Sequence, residues 1–203
     1  MIDIVVAAGW PIYPIILCSV VALGIIGERF YTLRPSVLIP DLVPEVIEKI
    51  QAGSQFNVNE IANFRSSSVM GFIIAAGIEE SRNAISDVEA AMNEAALAAA
   101  KELEKFLTTL GTIATLSPLL GLLGTIVGMI EIFGASSATG LADPAKLAHG
   151  ISVALYNAAF GIIVAVPSLI CYRHFRAKAD TLLTDMEAIG AKLQRAIKAE
   201  NSR

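Results

Sequence analysis

Residues 4–27, 106–130 and 150–172 carry no charged side chain at all. Each run is long enough to cross a bilayer, since a helix needs roughly 20 apolar residues to span about 30 Å of hydrocarbon. Helices apolar on every face must otherwise be wrapped by a large soluble core, and 203 residues cannot wrap three of them. The charged fraction of 17% also lies below the roughly 25% of soluble domains. The expected fold is an all-α membrane protein with three transmembrane helices.

Lys and Arg placement sets the expected orientation, because cytoplasmic flanks carry the positive excess. No basic residue precedes the first run; Arg29 and Arg34 follow it, Lys101 and Lys105 precede the second, and Arg173, Arg176 and Lys178 follow the third. The connection between the second and third runs holds Lys146 against Asp143. All three flanks place the N-terminus outside the cytoplasm and the C-terminus inside. The start Met1-Ile2-Asp3 lacks the basic region of a cleaved signal peptide, so the first run is expected to stay as an anchor. Acidic residues dominate the net charge of −4, which argues against a nucleic-acid partner.

The expected organisation is a first transmembrane helix over 1–27, a cytoplasmic helical insert over 28–105, a second span over 106–133, a periplasmic loop over 134–147, a third span over 148–172 and a cytoplasmic C-terminal helix over 173–203. The insert reads as polar and punctuated by Pro35, Pro40 and Pro44. Asp41 is a cap candidate for a short helix ending near Gly53, and the pairs Asn57/Glu60 and Ser86/Glu89 have capping-box spacing. From Ser86 onward strong helix formers continue without Gly or Pro as far as Gly111. The second span should therefore run as one helix of about 70 Å from the cytoplasm to Phe133. Asp143 and Pro144 read as cap and first residue of a third helix. The periodic Leu182, Leu183, Met186, Ile189, Leu193 and Ile197 carry that helix past the membrane and call for a helical partner within the protomer or on another copy.

Within the second span, Ser117, Gly121, Gly124, Thr125 and Gly128 fall on one face at three- and four-residue steps; Ala154, Ala158, Gly161, Ala165 and Ser168 do the same in the third. Small faces let helix backbones approach closely in lipid, so tight packing is their plain reading. Pro118 and Pro167 each free a backbone carbonyl and are candidate kinks. The glycines lack the Lys of a phosphate loop. Cys18 and Cys171 read as unpaired core residues. His149 and His174 have no second ligand at helical spacing, so no metal or cofactor is expected; His174 reads as an interfacial anchor. Trp10, Tyr13 and Tyr172 read as aromatic belts. No nucleophile with a base, metal cluster or phosphate loop supports an enzyme.

These residues resemble the MotA/TolQ/ExbB proton-channel family, most nearly its ExbB-like branch. The resemblance rests on a first span ending in Glu28-Arg29, a cytoplasmic insert, the block from Leu110-Gly111-Thr112-Ile113-Ala114 to Gly128, and the block from Gly150-Ile151-Ser152 to Pro167. It implies a homo-oligomeric ring, five-fold in such proteins, around single-span helices of an ExbD- or TolR-like subunit. Proton flow would then drive a TonB- or TolA-like protein in outer-membrane import or envelope maintenance. Thr125 falls on the family's polar pore position, and Pro118 and Pro167 match its prolines. Where relatives carry Glu and Thr in the third span, this chain has Val153 and Ala158, beside Asn157.

An amide cannot take up and release a proton, so Asn157 cannot relay charge. Glu131, near the outer end of the second span, is the one carboxylate close to a span, and it reads equally as a proton-pathway residue or an interfacial one. If protons cross, a partner's Asp would carry them, with Thr125 and Asn157 solvating it. The alternatives are a flagellar or gliding stator, for which the chain is short, a channel or transporter with its own substrate site, and a non-conducting membrane scaffold.

Overall fold

The computed structural model describes residues 9–34, 38, 43–52, 56–82, 87–139 and 144–201. Among them every regular element is an α-helix: α1 (Ile12–Thr32), α2 (Val43–Gln51), α3 (Val58–Ser67), α4 (Val69–Glu80), α5 (Val88–Glu104), α6 (Leu107–Thr139) and α7 (Pro144–Asn201). Stretches within Ile12–Thr32, Val88–Gly134 and Leu147–Ile197 are long and apolar enough to cross a membrane. The chain divides into two compact units, Met1–Glu28 with Phe106–His174, and Arg29–Lys105 with Phe175–Arg203.

The first unit holds the apolar helical stretches. On α1, Ile12, Ile15, Ala22 and Ile25 are buried along one stripe, while Tyr13, Leu17, Val20 and Leu23 are exposed. On α6 the buried stripe is Leu107, Leu110, Ile113, Ala114 and Ser117, and on α7 it is Ala154, Asn157, Ala165 and Ser168. Leu119, Leu122, Ile163 and Ile170 point outward. So much exposed apolar surface in a helical bundle is a surface for lipid or for neighbouring helices rather than for water. Pro118 and Pro167 lie inside continuous helices. Beside each, a serine hydroxyl donates back to a carbonyl one turn earlier, Ser117 to Ile113 at 2.8 Å and Ser168 to Val164 at 2.7 Å.

The second unit corrects the picture of a merely polar insert, because α4 buries Met70, Ile73, Ile74, Ala75 and Ile78 around most of its circumference. At 12 residues it is too short to span a membrane and acts as a core helix. Ser68, extended at φ −166°, ends α3 and starts α4, its hydroxyl accepting from the Gly71 N–H at 2.9 Å. The apolar stripe in the C-terminal part of α7 finds its partner within the chain: Leu182, Met186, Leu193 and Ile197 are buried, and a methyl on Gly77 of α4 would touch Met92 of α5 and Ile197 of α7. Leu183 and Ile189 are half-buried. An apolar groove of about 520 Å³ remains beside this core, lined by Ile73, Met92, Leu97, Leu183 and Met186 among others.

Helix starts follow the sequence in part. The Asn57 N–H donates to the Glu60 carboxylate at 2.8 Å, closing the start of α3. α5 is capped by Asp87, whose carboxylate accepts from the Ala90 N–H at 3.0 Å; an anionic cap also complements the positive end of the helix dipole. Asp41, Gly53, Ser86 and Asp143 themselves lie outside the described residues, while α7 does begin at Pro144.

The largest departure concerns the second span. One continuous helix was expected, but the chain breaks between α5 and α6. Lys105 is extended at φ −50°, ψ 138°, and Phe106 is left-handed at φ 60°, a conformation that bulky side chains rarely adopt. The carbonyls at the end of α5 are met by Arg29, which is wholly buried and donates from Nη1 to Glu102 O at 3.1 Å and Leu103 O at 3.2 Å. Beside it, Phe30 and Phe175 pack edge to face at 5.0 Å, and Arg176 pairs with Glu104 at 3.1 Å.

Candidate functional site: the interface between α6 and α7

The small faces of α6 and α7 meet. A methyl on Gly121 would lie 2.7 Å from Asn157 O and 3.1 Å from Ala158 Cα, and one on Gly161 would lie 2.5 Å from Ser117 O. A methyl on Gly128 would lie 3.3 Å from Ala154 Cβ. At Gly121 and Gly161 a residue without a side chain is needed because what each faces is the backbone of the other helix, which cannot rotate aside. Further along, Gly111 faces the Tyr172 ring.

Two polar groups sit in this seam. The Thr125 hydroxyl is within hydrogen-bond distance of Gly121 O on its own helix and Ala154 O on α7, both at 3.1 Å. Thr125 is half-buried and borders a shallow apolar hollow of about 580 Å³ with Ile126, Met129, Ile130, Phe133 and Gly134. Asn157 is 1% exposed, its side chain lying where a methyl on Gly124 would come within 2.7 Å. Thr125, Asn157, Gly121, Gly124, Gly128, Ala154, Ala158 and Gly161 are thus gathered at one helix contact. The seam's buried residues are apolar, Ser, Gly or Asn, and none of them titrates.

Glu131 stands apart. It is exposed on α6, and makes no hydrogen bond or ion pair among the described residues, while its neighbour Ile132 packs where Gly150 leaves room. His149 and His174 are exposed, and Cys18 and Cys171 are free and half-buried. Reading the sequence identified the small faces but missed two anchoring contacts: the Ala154 carbonyl as acceptor for Thr125, and the burial of Arg29. The first has no side-chain signature. The second had one signal, an arginine only two residues beyond an uncharged run.

Comparison with known proteins bears on this arrangement directly. Residues 65–188, which include the whole α6–α7 seam, match the MotA/TolQ/ExbB proton channel family. An ExbB-like biopolymer transport protein of Synechocystis is 30% identical over 178 residues, covering 84% of this chain and 82% of that protein. An ExbB homologue of Methanothermobacter thermautotrophicus is 29% identical over 178 residues, 84% of this chain but 62% of its own length, so the chain spans less than two thirds of that relative. The Tol-Pal system protein TolQ of Pseudomonas aeruginosa is 35% identical over 83 residues, 41% of this chain and 36% of TolQ. With a small-residue seam between two apolar helices lying wholly inside the matched region, this chain belongs to the MotA/TolQ/ExbB proton channel family, in its ExbB-like branch.

Proposed function

We propose that this chain is the ring subunit of a bacterial inner-membrane complex driven by the proton-motive force, with its N-terminus periplasmic and its C-terminus cytoplasmic. Several copies, five on the family pattern, enclose a single-span subunit of the ExbD/TolR kind and power a TonB/TolA-like protein. The names of the relatives, biopolymer transport and Tol-Pal system, support this class of work. The basic residues flanking the spans support the orientation.

The observation that carries the reading is the chemistry of the seam. It sets a half-buried hydroxyl and a buried amide in an otherwise apolar contact, yet holds no group that titrates. An amide or hydroxyl can orient a proton carrier but cannot be one at neutral pH. The carrier is therefore a carboxyl of the enclosed subunit, received at Thr125 on the rim of the hollow. The exposed apolar faces of α1, α6 and α7 are the surfaces along which copies and lipid meet.

Proton flux into liposomes tests this. The chain reconstituted alone should be no leakier than empty vesicles, and co-reconstitution with a single-span partner bearing an intramembrane Asp should raise the flux. Uncoupler-like conduction by the chain alone would remove the reading.

A further inference from the structure

Residues 29–40 contain two arginines and no acidic residue, and they begin two positions beyond the uncharged run 4–27. That run is long enough to span a bilayer, so the residues just after it stand at the membrane surface, where aromatic rings and basic side chains collect. Two of them are exposed aromatics, Phe30 at 54% and Tyr31 at 67%.

The local fold fixes Arg34 by its backbone and turns its side chain outward. The residue before a proline is disfavoured in the helical region, and α1 ends at Thr32, ahead of Arg34 and Pro35. Leu33 and Leu38, 0% and 1% exposed, anchor the chain on either side, and the Arg34 carbonyl accepts from the Leu38 N–H at 3.3 Å. The Arg34 side chain is exposed, and its guanidinium lies over the Tyr31 ring, 5.6 Å from the centroid. Stacking uses one face of the planar group and leaves its N–H edge for other acceptors. No carboxylate lies within ion-pair distance of Arg34 among the described residues, whereas Lys49, Arg65, Lys105 and Arg176 of the same unit each have one.

We propose that Arg34 and Tyr31 form a binding site for the phosphate of an anionic phospholipid, in the leaflet that borders the C-terminal end of α1. The forked N–H edge matches two phosphate oxygens. The ring beneath it holds the fork in place, which reduces the freedom lost on binding. Phe30, itself held edge to face on Phe175 at 5.0 Å, offers an apolar surface to the lipid below its headgroup. A zwitterionic headgroup brings its own ammonium, which competes for the phosphate, so a lipid of net negative charge is preferred. The site requires neither proton flow nor a ring, so its failure would leave the function proposed above untouched.

Native mass spectrometry of the full-length protein counts the lipids it retains on release from nanodiscs made of equal parts phosphatidylglycerol and phosphatidylcholine. The wild type should keep phosphatidylglycerol in preference. Arg34→Gln should lower that preference about fivefold, the effect of one cation at a membrane surface. Arg34→Lys keeps the charge but not the planar fork, and Tyr31→Leu keeps an apolar side chain but not the ring; both should lose most of the preference. Lys192→Gln, which removes an exposed cation elsewhere in the same unit, should leave it unchanged. A lysine variant that retains lipid as the wild type does would reduce the site to bulk charge attraction and overturn the proposal, as would equal retention of the two lipids by the wild type. Inorganic phosphate added before release should displace no lipid; displacement would make the occupant a free anion and overturn it as well.

Discussion

A methyl group on Gly161 would sit 3.1 Å from the Cα of Gly121, so the two helices of the seam touch through bare backbone. Gly161→Ala should therefore force them apart and cost about 1–3 kcal/mol, the usual range for overpacking. Gly24, whose added methyl meets nothing within 4 Å in the chain, provides the contrast. Gly24→Ala should be neutral or stabilising by up to about 1 kcal/mol through helix propensity. Unfolding of both variants in mixed micelles measures the difference, and equal losses would show that the seam is not the sensitive contact.

Thr125 ties α6 to α7 through the Ala154 carbonyl. Interhelical hydrogen bonds in membranes average about 0.6 kcal/mol and reach about 1.7. Thr125→Val, which keeps the shape and removes the hydroxyl, should lose an amount in that range, and Thr125→Ser should retain most of it. The same unfolding assay reports both; a Ser variant as weak as Val would mean that methyl packing and not the hydroxyl matters.

Asp87 caps α5 from an exposed position through the Ala90 N–H. Asp87→Ala should destabilise the protein by about 1 kcal/mol, and Asp87→Asn or Ser should recover most of that. Thermal unfolding of the three variants orders them, with Ala lowest.

Glu60 responds to acid. Its carboxylate accepts from the Asn57 N–H, with Lys49 at 3.5 Å as a lesser influence, and both hold its pKa below the ordinary 4.5. A carboxylate depressed in the folded state stabilises it above the unfolded pKa, and the contribution disappears as pH falls through the folded value. Exchange of the Asn57 amide should accordingly lose its extra protection only below pH 4.5. Glu60→Ala should be unprotected already at neutral pH and lack that acid-dependent step.

How far the chain could be read without coordinates follows from the range of the forces involved. The helices were legible because charge exclusion and helical periodicity are local properties, and the Asn57 start of α3 was legible because its capping bond spans three residues. The cap at Asp87 was missed because Ser, Asn and Asp all cap and spacing alone does not choose among neighbouring candidates. The turn at Phe106 was illegible for a deeper reason: Arg29, which donates to the carbonyls at the end of α5, lies 73 and 74 residues away from them. In the seam, spacing identified which faces were small but not that Thr125 would find a carbonyl and Asn157 would fill the space left by Gly124. Neither acceptor nor vacancy is written in a single helix.

The direction of the Thr125 hydrogen bond has one more consequence. With its lone hydrogen committed to the Gly121 and Ala154 carbonyls, each at 3.1 Å, the oxygen has only lone pairs left to offer to any group that enters the neighbouring hollow. A visitor that brings its own hydrogen, such as an acid in its neutral form, is welcomed there, and the same acid stripped to an anion is turned away. A residue that never changes its own charge can in this way tell the charged state of another.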